Sequence, residues 1–389
     1  TDVVMVDTGN SYEGLCEYVG GKYISYTDEH PITMNPFAIK REELNIEKIG
    51  FLKNLVMLIW KGTQGEVSKT EDRLIEQVIT EYFDEYFMKK QIENLSFNTF
   101  YEYSTVRIPQ IIKENNLAGI DLASYNYLLK DFYKGGSHEL TLNENLDTKL
   151  FDETFIVFEI DSIKDDPLLF PLVTLIIMDV FIQKMRIKKN RKVLVIEEAW
   201  KAIASPMMAE YIKYLYKTAR KFWASVGVVT QEIQDIVGSP IVKEAIINNS
   251  DVVMLLDQSK FRERFDEIKA ILGLTDVDCK KIFTINRLEN KEGRSFFREV
   301  FIRRGSVGGV FGVEEPHECY MTYTTERAEK EALKLYKKEL QCDHQHAIEA
   351  YCRDWELSGI TKSLPFAQKV NQTGHVLNIK PKRKFDEYM

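Results

Sequence analysis

The feature that most limits how this chain can fold is a set of short, continuously apolar runs spaced by segments of helical periodicity. "TFIVFEI" (154–160) precedes the apolar stretch "LLFPLVTLIIMDVFI", and then come "KVLVIEE" (192–198), a helical pattern from about Pro206 to Lys221, and "ASVGVVTQ" (224–231). A short helix through "IVKEAIINN" leads to a further run, "DVVMLLD" (251–257). Strands apolar on both faces and joined by helical crossovers predict a parallel sheet covered on both sides. The chain opens in the same way, with a strand over Val3 to Val6 that ends in Asp7 and a glycine-containing turn. "GKYISY" reads as a second short strand and "HPITMNPF" as a proline-bounded loop.

Between about Ile49 and Tyr133 the pattern is helical throughout. "IGFLKNLVMLIW", "TEDRLIEQVITEYFDEYF", "TFYEYSTVRIPQIIKENN" and "IDLASYNYLLKDFY" carry apolar residues three and four apart, with no strand between them. This block predicts an all-helical insertion. Near the other end, "SFFREVFIRRGSVGGVFGVEE" and "ECYMTYTT" read as antiparallel strands, followed by helical segments from Glu326 onward.

A chain of 389 residues, 44% hydrophobic and 29% charged, can bury one large α/β core plus a subdomain. Its net charge of -8, with no long basic block before the tail "KPKRKF", argues against an extended nucleic-acid surface but leaves room for a local basic patch. The run Leu168 to Ile182, interrupted by Pro171 and Asp179, is too short to cross a bilayer comfortably and reads as a buried helix. Cys16, Cys279, Cys319, Cys342 and Cys352 are scattered, odd in number and without CxxC spacing, which points to reduced thiols in a cytoplasmic protein. "CDHQHAIEAYC" holds two cysteines and two histidines at no common zinc spacing and reads as a solvated helix start.

In open α/β sheets, ligands bind beyond the carboxyl ends of the strands. Here those ends are polar: Asp7, then Glu197 with Glu198, then Thr230 with Gln231. A nucleoside triphosphatase needs an acid to hold the Mg²⁺ shell, an acid to take a proton from water, and an amide or hydroxyl to sense the γ-phosphate. Glu197, Glu198 and Gln231 are of those types. An isolated acid pair also reads as a helix start, where carboxylates favour the dipole, and a lone glutamine as an ordinary polar strand end. The preceding "VLVI" and the downstream "VVTQ" weigh toward the site.

The phosphate cradle is missing. No GxxxxGK[ST] occurs: "CEYVGGKY" has Cys16 where the first glycine belongs and Tyr23 where Ser or Thr should hold magnesium, and "YKGGSHEL" fails in the same way. With a first residue, Thr1, already at a core strand, the expectation is an excised piece whose preceding strand, loop and helix lie upstream.

"VLVIEEAWKAI", "YLYKTARKFWASVGVVTQEIQDI" and "IINNSDVVMLLDQS" together resemble the C-terminal motor domain of the TraG/VirB-type (VirB-four-like) conjugation ATPases of type IV secretion. The opening "VVMVDTGNSYEGL", the helical block and "GSVGGVFGV" extend the resemblance over nearly the whole chain. It implies an α/β fold: a RecA-like P-loop NTPase core with a largely parallel sheet (1–46 and 149–324), an inserted all-helical subdomain (47–148) and a C-terminal antiparallel and helical extension (helical over 325–389). It implies ATP and Mg²⁺ as ligands, Glu197 in the magnesium shell through water, and Glu198 as general base. One methylene longer than the Asp usual in the family, Glu197 changes the metal geometry.

The family's Arg-Lys pair, eleven residues before the sensing glutamine, matches Arg220, Lys221 and Gln231, so Arg220 would reach the γ-phosphate of a neighbouring subunit. A helix-terminal cation is the plainer reading of Arg220. The family's setting is a hexameric homo-oligomer at the cytoplasmic face of the inner membrane, working with the secretion channel and coupling proteins. Two other readings fit the same residues. One is a DNA-pumping coupling protein or FtsK-like translocase, which shares the core and the Arg-Gln spacing; the other is a non-catalytic interaction module.

Overall fold

A computed structural model describes residues 1–27, 29–87, 95–145, 148–198, 206–231, 246–287 and 297–377. The chain divides into two compact units, one of residues 1–8 with 24–249 and one of 9–23 with 250–389.

The first unit is built on a five-stranded sheet in the order β2-β3-β1-β4-β5. Its strands are β1 (Asp2–Asp7), β2 (Lys22–Ser25), β3 (Phe155–Glu159), β4 (Lys192–Glu197) and β5 (Ala224–Val229). β1 pairs in parallel with β3 and with β4, and β4 in parallel with β5. The predicted parallel sheet is therefore present, and its central strands are the most apolar: Val4, Val6, Ile156, Phe158, Leu194 and Ile196 are buried on one continuous core.

α1 (Glu13–Tyr18) follows β1 and belongs to the second unit. Between β2 and β3 the described residues form helices without strands: α2 (Ile46–Lys61), α3 (Lys69–Glu85), α4 (Phe97–Glu114), α5 (Leu122–Leu129) and α6 (Glu139–Asn143). Their limits follow from local chemistry. The Asn45 side chain accepts the Lys48 N–H at the start of α2, and Gly62, at φ 67°, ends it in a conformation that costs glycine nothing. Ser68 with Glu71, and Ser96 with Thr99, close reciprocal caps at the starts of α3 and α4. Aromatic rings fill this block, with Phe37 stacked on Phe100 at 4.8 Å and set edge-on to Tyr82 at 6.1 Å.

α7 (Leu169–Ile187) accounts for the longest apolar run, with both faces buried from Leu169 to Ile182. No helix among the described residues is long and apolar enough to cross a membrane. α8 (Pro206–Ala219) and a 3-10 turn (Arg220–Phe222) lead into β5.

The second unit holds a three-stranded antiparallel sheet, β6 (Val252–Leu255), β7 (Phe297–Arg304) and β8 (Val307–Glu314). The expected β7–β8 hairpin is present, but two expectations are corrected. "DVVMLLD" does not extend the parallel sheet: β6 runs antiparallel to β7, Val252 facing Arg304. Val252 and Met254 stand 41% and 65% exposed, so this apolar run is not covered on both faces as a central parallel strand would be. "ECYMTYTT" is not a strand but a helix, since Pro316 caps a segment His317–Tyr323 that buries only Met321 and Thr322. Helices Arg327–Leu340, His344–Ser358 and Ser363–Thr373 then pack around Leu333, Tyr336, Tyr351, Trp355 and Phe366. The stretch with Cys342 and His344 is a helix start, where the Asp343 side chain accepts the His346 N–H.

Candidate functional site

The carboxyl ends of β3, β1, β4 and β5 lie side by side, and each carries a polar residue. Asp7 sits in register with Glu159, and Glu197 in register with Val229, immediately before Thr230 and Gln231. Neighbouring strands are spaced about 4.8 Å apart, so the row from Glu159 through Asp7 and Glu197 to Thr230 spans about 15 Å. Asp7 and Glu159 are 0% and 2% exposed; Glu197, Glu198 and Thr230 are half-buried and Gln231 is exposed.

Two local devices hold this rim. The β4–β5 ladder runs one residue past the strand, where the Glu198 N–H donates to the Val229 carbonyl at 3.0 Å. Glu198 itself adopts φ 47°, a left-handed conformation that costs a residue other than glycine roughly 1–2 kcal/mol. Such strain is characteristic of residues held in place for function. On β3, the Glu159 Oε1 accepts the Asp161 N–H at 2.7 Å, and the Ile160 N–H donates to the Asp7 carbonyl at 2.9 Å, tying the two acid-bearing strand ends together.

Of the residues singled out in the sequence, Asp7, Glu197, Glu198, Thr230 and Gln231 are thus brought to one end of the sheet. Arg220 and Lys221 are not. Their 3-10 turn precedes β5, at the amino end, and β5 is six residues long. At about 3.3 Å per residue that separates them from the acid rim by about 20 Å. An extended arginine side chain, with bonds of about 1.5 Å, reaches only about 7 Å. Arg220 therefore cannot touch a ligand held at its own chain's rim.

Glu159 was not singled out from the sequence, although "FIVFE" carries the same signal as "VLVIE": an apolar strand that ends in a carboxylate. The segments 199–205 and 232–245, which include the rest of the "EEAWKAI" and "TQEIQDI" motifs, lie outside the described residues.

Among the described residues no group of three or more His, Cys, Asp or Glu is placed to hold a metal ion, so the rim offers carboxylates on adjoining strand ends rather than a formed cation cage. No GxxxxGK[ST] occurs in the chain.

The model of the TraG P-loop domain family matches residues 1–355. This chain belongs to that family. The resemblance to TraG/VirB-type conjugation ATPases, read from the strand-end motifs, holds at the family level. Protein TraC of Escherichia coli (strain K12) is 22% identical over 283 residues, which cover 68% of this chain and 30% of TraC. The chain thus spans under a third of that curated relative. Among solved structures, VirB4 of Thermoanaerobacter pseudethanolicus superposes with a TM-score of 0.57 at 19% identity, over 81% of this chain and 82% of VirB4. That likeness shows a shared fold, an α/β core on a parallel sheet.

Proposed function

We propose that this TraG-family chain is the acid-and-sensor part of an ATPase motor that energises channel assembly or substrate transfer in a conjugative type IV secretion system. The observation that carries the reading is the row of Asp7, Glu197, Glu198, Thr230 and Gln231 on adjoining ends of a parallel sheet. In this reading Glu197 holds the Mg²⁺ shell through water, and Asp7 supports the same rim. Mg²⁺ would neutralise charge on the phosphate oxygens. Glu198 accepts the proton of the attacking water, and its strained backbone fixes where that carboxylate stands. Thr230 and Gln231 contact the γ-phosphate.

Arg220, flanked by Lys221, serves the site of an adjoining subunit, because about 20 Å separates it from its own. The working form is accordingly a ring, hexameric as in the family, at the cytoplasmic face of the inner membrane with channel and coupling proteins. A DNA-pumping role remains the second reading. The acidic net charge of -8 disfavours it.

The test uses this chain joined to a segment that supplies a GxxxxGK[ST] loop; without that loop the 389 residues should not hydrolyse ATP. Glu198→Gln should keep nucleotide binding and stop hydrolysis, since an amide cannot accept the proton. Arg220→Ala should lower the rate by about 10³-fold or more. Random equal mixing of the two inactive variants creates an intact Glu198–Arg220 pair at about one junction in four. Partial recovery of ATPase activity is the expected result. Mixed rings, shown by mass spectrometry, that remain inactive would overturn the assignment of Arg220.

A further inference from the structure

The antiparallel sheet of the second unit is apolar on both faces. Residues directly opposite each other in such a sheet carry their side chains on the same face, and that face alternates along each strand. Leu255 faces Phe301, and both are buried within the unit. On the other face β6 contributes Val252 and Met254, and β8 contributes Val307, Phe311 and Val313, all between 41% and 75% exposed. Between them β7 contributes Val300 and Ile302, with Arg298 and Arg304 at the two ends. An antiparallel sheet packed on one face ordinarily carries polar residues on the other. A contiguous apolar face left open instead marks a place where another surface docks.

Charge decides what covers it. Arg298 and Arg304 are exposed, and neither guanidinium has an ion-pair partner among the described residues. The strand positions on this face include no carboxylate, so two copies packed through it would bring four cations together with no acid between them. An anionic bilayer would meet the exposed carboxylates of Asp251, Asp257 and Glu314 around the strand ends. We propose that this face seats one amphipathic helix of a partner protein, its apolar stripe on Met254, Ile302 and Phe311 and an acidic residue near each end, beside Arg298 and Arg304. The dimensions agree. Six strand residues separate the two arginines (304 minus 298), about 20 Å, which a helix rising 1.5 Å per residue covers in about 13 residues. The outer strands lie about 10 Å apart, close to the diameter of one helix. The surface belongs to the second unit and uses none of the rim residues, so it stands apart from the motor reading.

The experiment measures fluorescence anisotropy of two stapled helical peptides, titrated at low salt with the 389-residue chain. The peptides share one leucine stripe and differ only at their ends, two Glu in one and two Lys in the other. The Glu-ended peptide should bind the wild type at least about tenfold tighter, or about 1.4 kcal/mol, and the gap should narrow as salt rises. Arg298→Glu combined with Arg304→Glu should invert the order. Phe311→Asp and, separately, Met254→Asp should weaken both peptides at least about tenfold. All four side chains are exposed, so the variants should melt like the wild type.

Four results would overturn the proposal. One is that neither peptide binds the wild type up to about 1 mM. Another is that the two peptides bind alike, or keep their order when both arginines are reversed. The third is self-association of the wild type that Phe311→Asp and Met254→Asp abolish and the Glu-ended peptide does not compete with, which would give the face to a second copy. The last is binding to phosphatidylglycerol vesicles that the same two substitutions abolish and the peptide leaves untouched, which would give it to a lipid surface.

Discussion

Removing the charge of Lys48 should destabilise the first unit severely, because this lysine is one half of a buried ion pair that spans the core. Lys48, on α2, meets Asp179, on α7, at 2.7 Å and 131 residues away in the chain. Both side chains are nearly buried, at 8% and 5% exposure. The pair pins the helical block to the longest core helix. Asp179 also accepts the Gln183 Nε2 at 2.7 Å, and the Lys48 Nζ lies 4.5 Å from the centre of the Phe51 ring. Lys48→Met keeps the volume and leaves a buried carboxylate with one neutral donor, for which about 3–5 kcal/mol is the usual cost. With a denaturant slope of about 2–3 kcal/mol per M, that moves the urea midpoint by about 1–2.5 M.

The double variant Lys48→Met with Asp179→Leu removes both charges and should regain most of the loss, because an apolar pair avoids the desolvation penalty. Urea unfolding followed by tryptophan fluorescence suits the test, since Trp60 is buried on α2 against Tyr125 at 5.2 Å. A single variant that shifts the midpoint by less than about 0.3 M, or a double variant no better than the single, would refute the buried-charge reasoning.

Two further predictions concern the second unit. A Cβ at residue 14 would stand 2.6 Å from the Thr322 carbonyl oxygen, so Gly14→Ala should cost about 1–3 kcal/mol in thermal unfolding followed through Trp355; an unchanged melt would contradict the close approach. Burial holds the His344 imidazole below its ordinary value of 6.5, and although Glu17 pulls it back up, burial prevails. The unfolded chain therefore takes up the proton first, so this contribution to stability is full above 6.5 and is lost as pH falls through the lower folded value. His344→Gln should flatten the stability profile in that window, and equal slopes for variant and wild type would count against the assignment.

Much of the molecule was legible in the sequence because the signals were local. Short apolar runs marked β1, β3, β4 and β5, and spacing of three and four marked the helices from Ile46 to Leu129. The acids that end two of those strands marked the carboxyl end of the sheet, where register sets the strand ends side by side. Tertiary structure alone decided what local pattern could not. "DVVMLLD" has the composition of a core strand, yet its partner is β7, with Val252 opposite Arg304. Its pairing direction is a property of two segments, not of one.

Glu159 became a candidate only when register set it beside Asp7, 152 residues away (159 minus 7). Arg220 carried a motif whose meaning depended on distance: eleven residues separate it from Gln231 in the chain, but one of the intervening elements is a whole strand, which turns a nearby residue into one at the opposite end of the sheet. Strand length, a geometric quantity, is what takes the arginine out of reach of its own chain's rim.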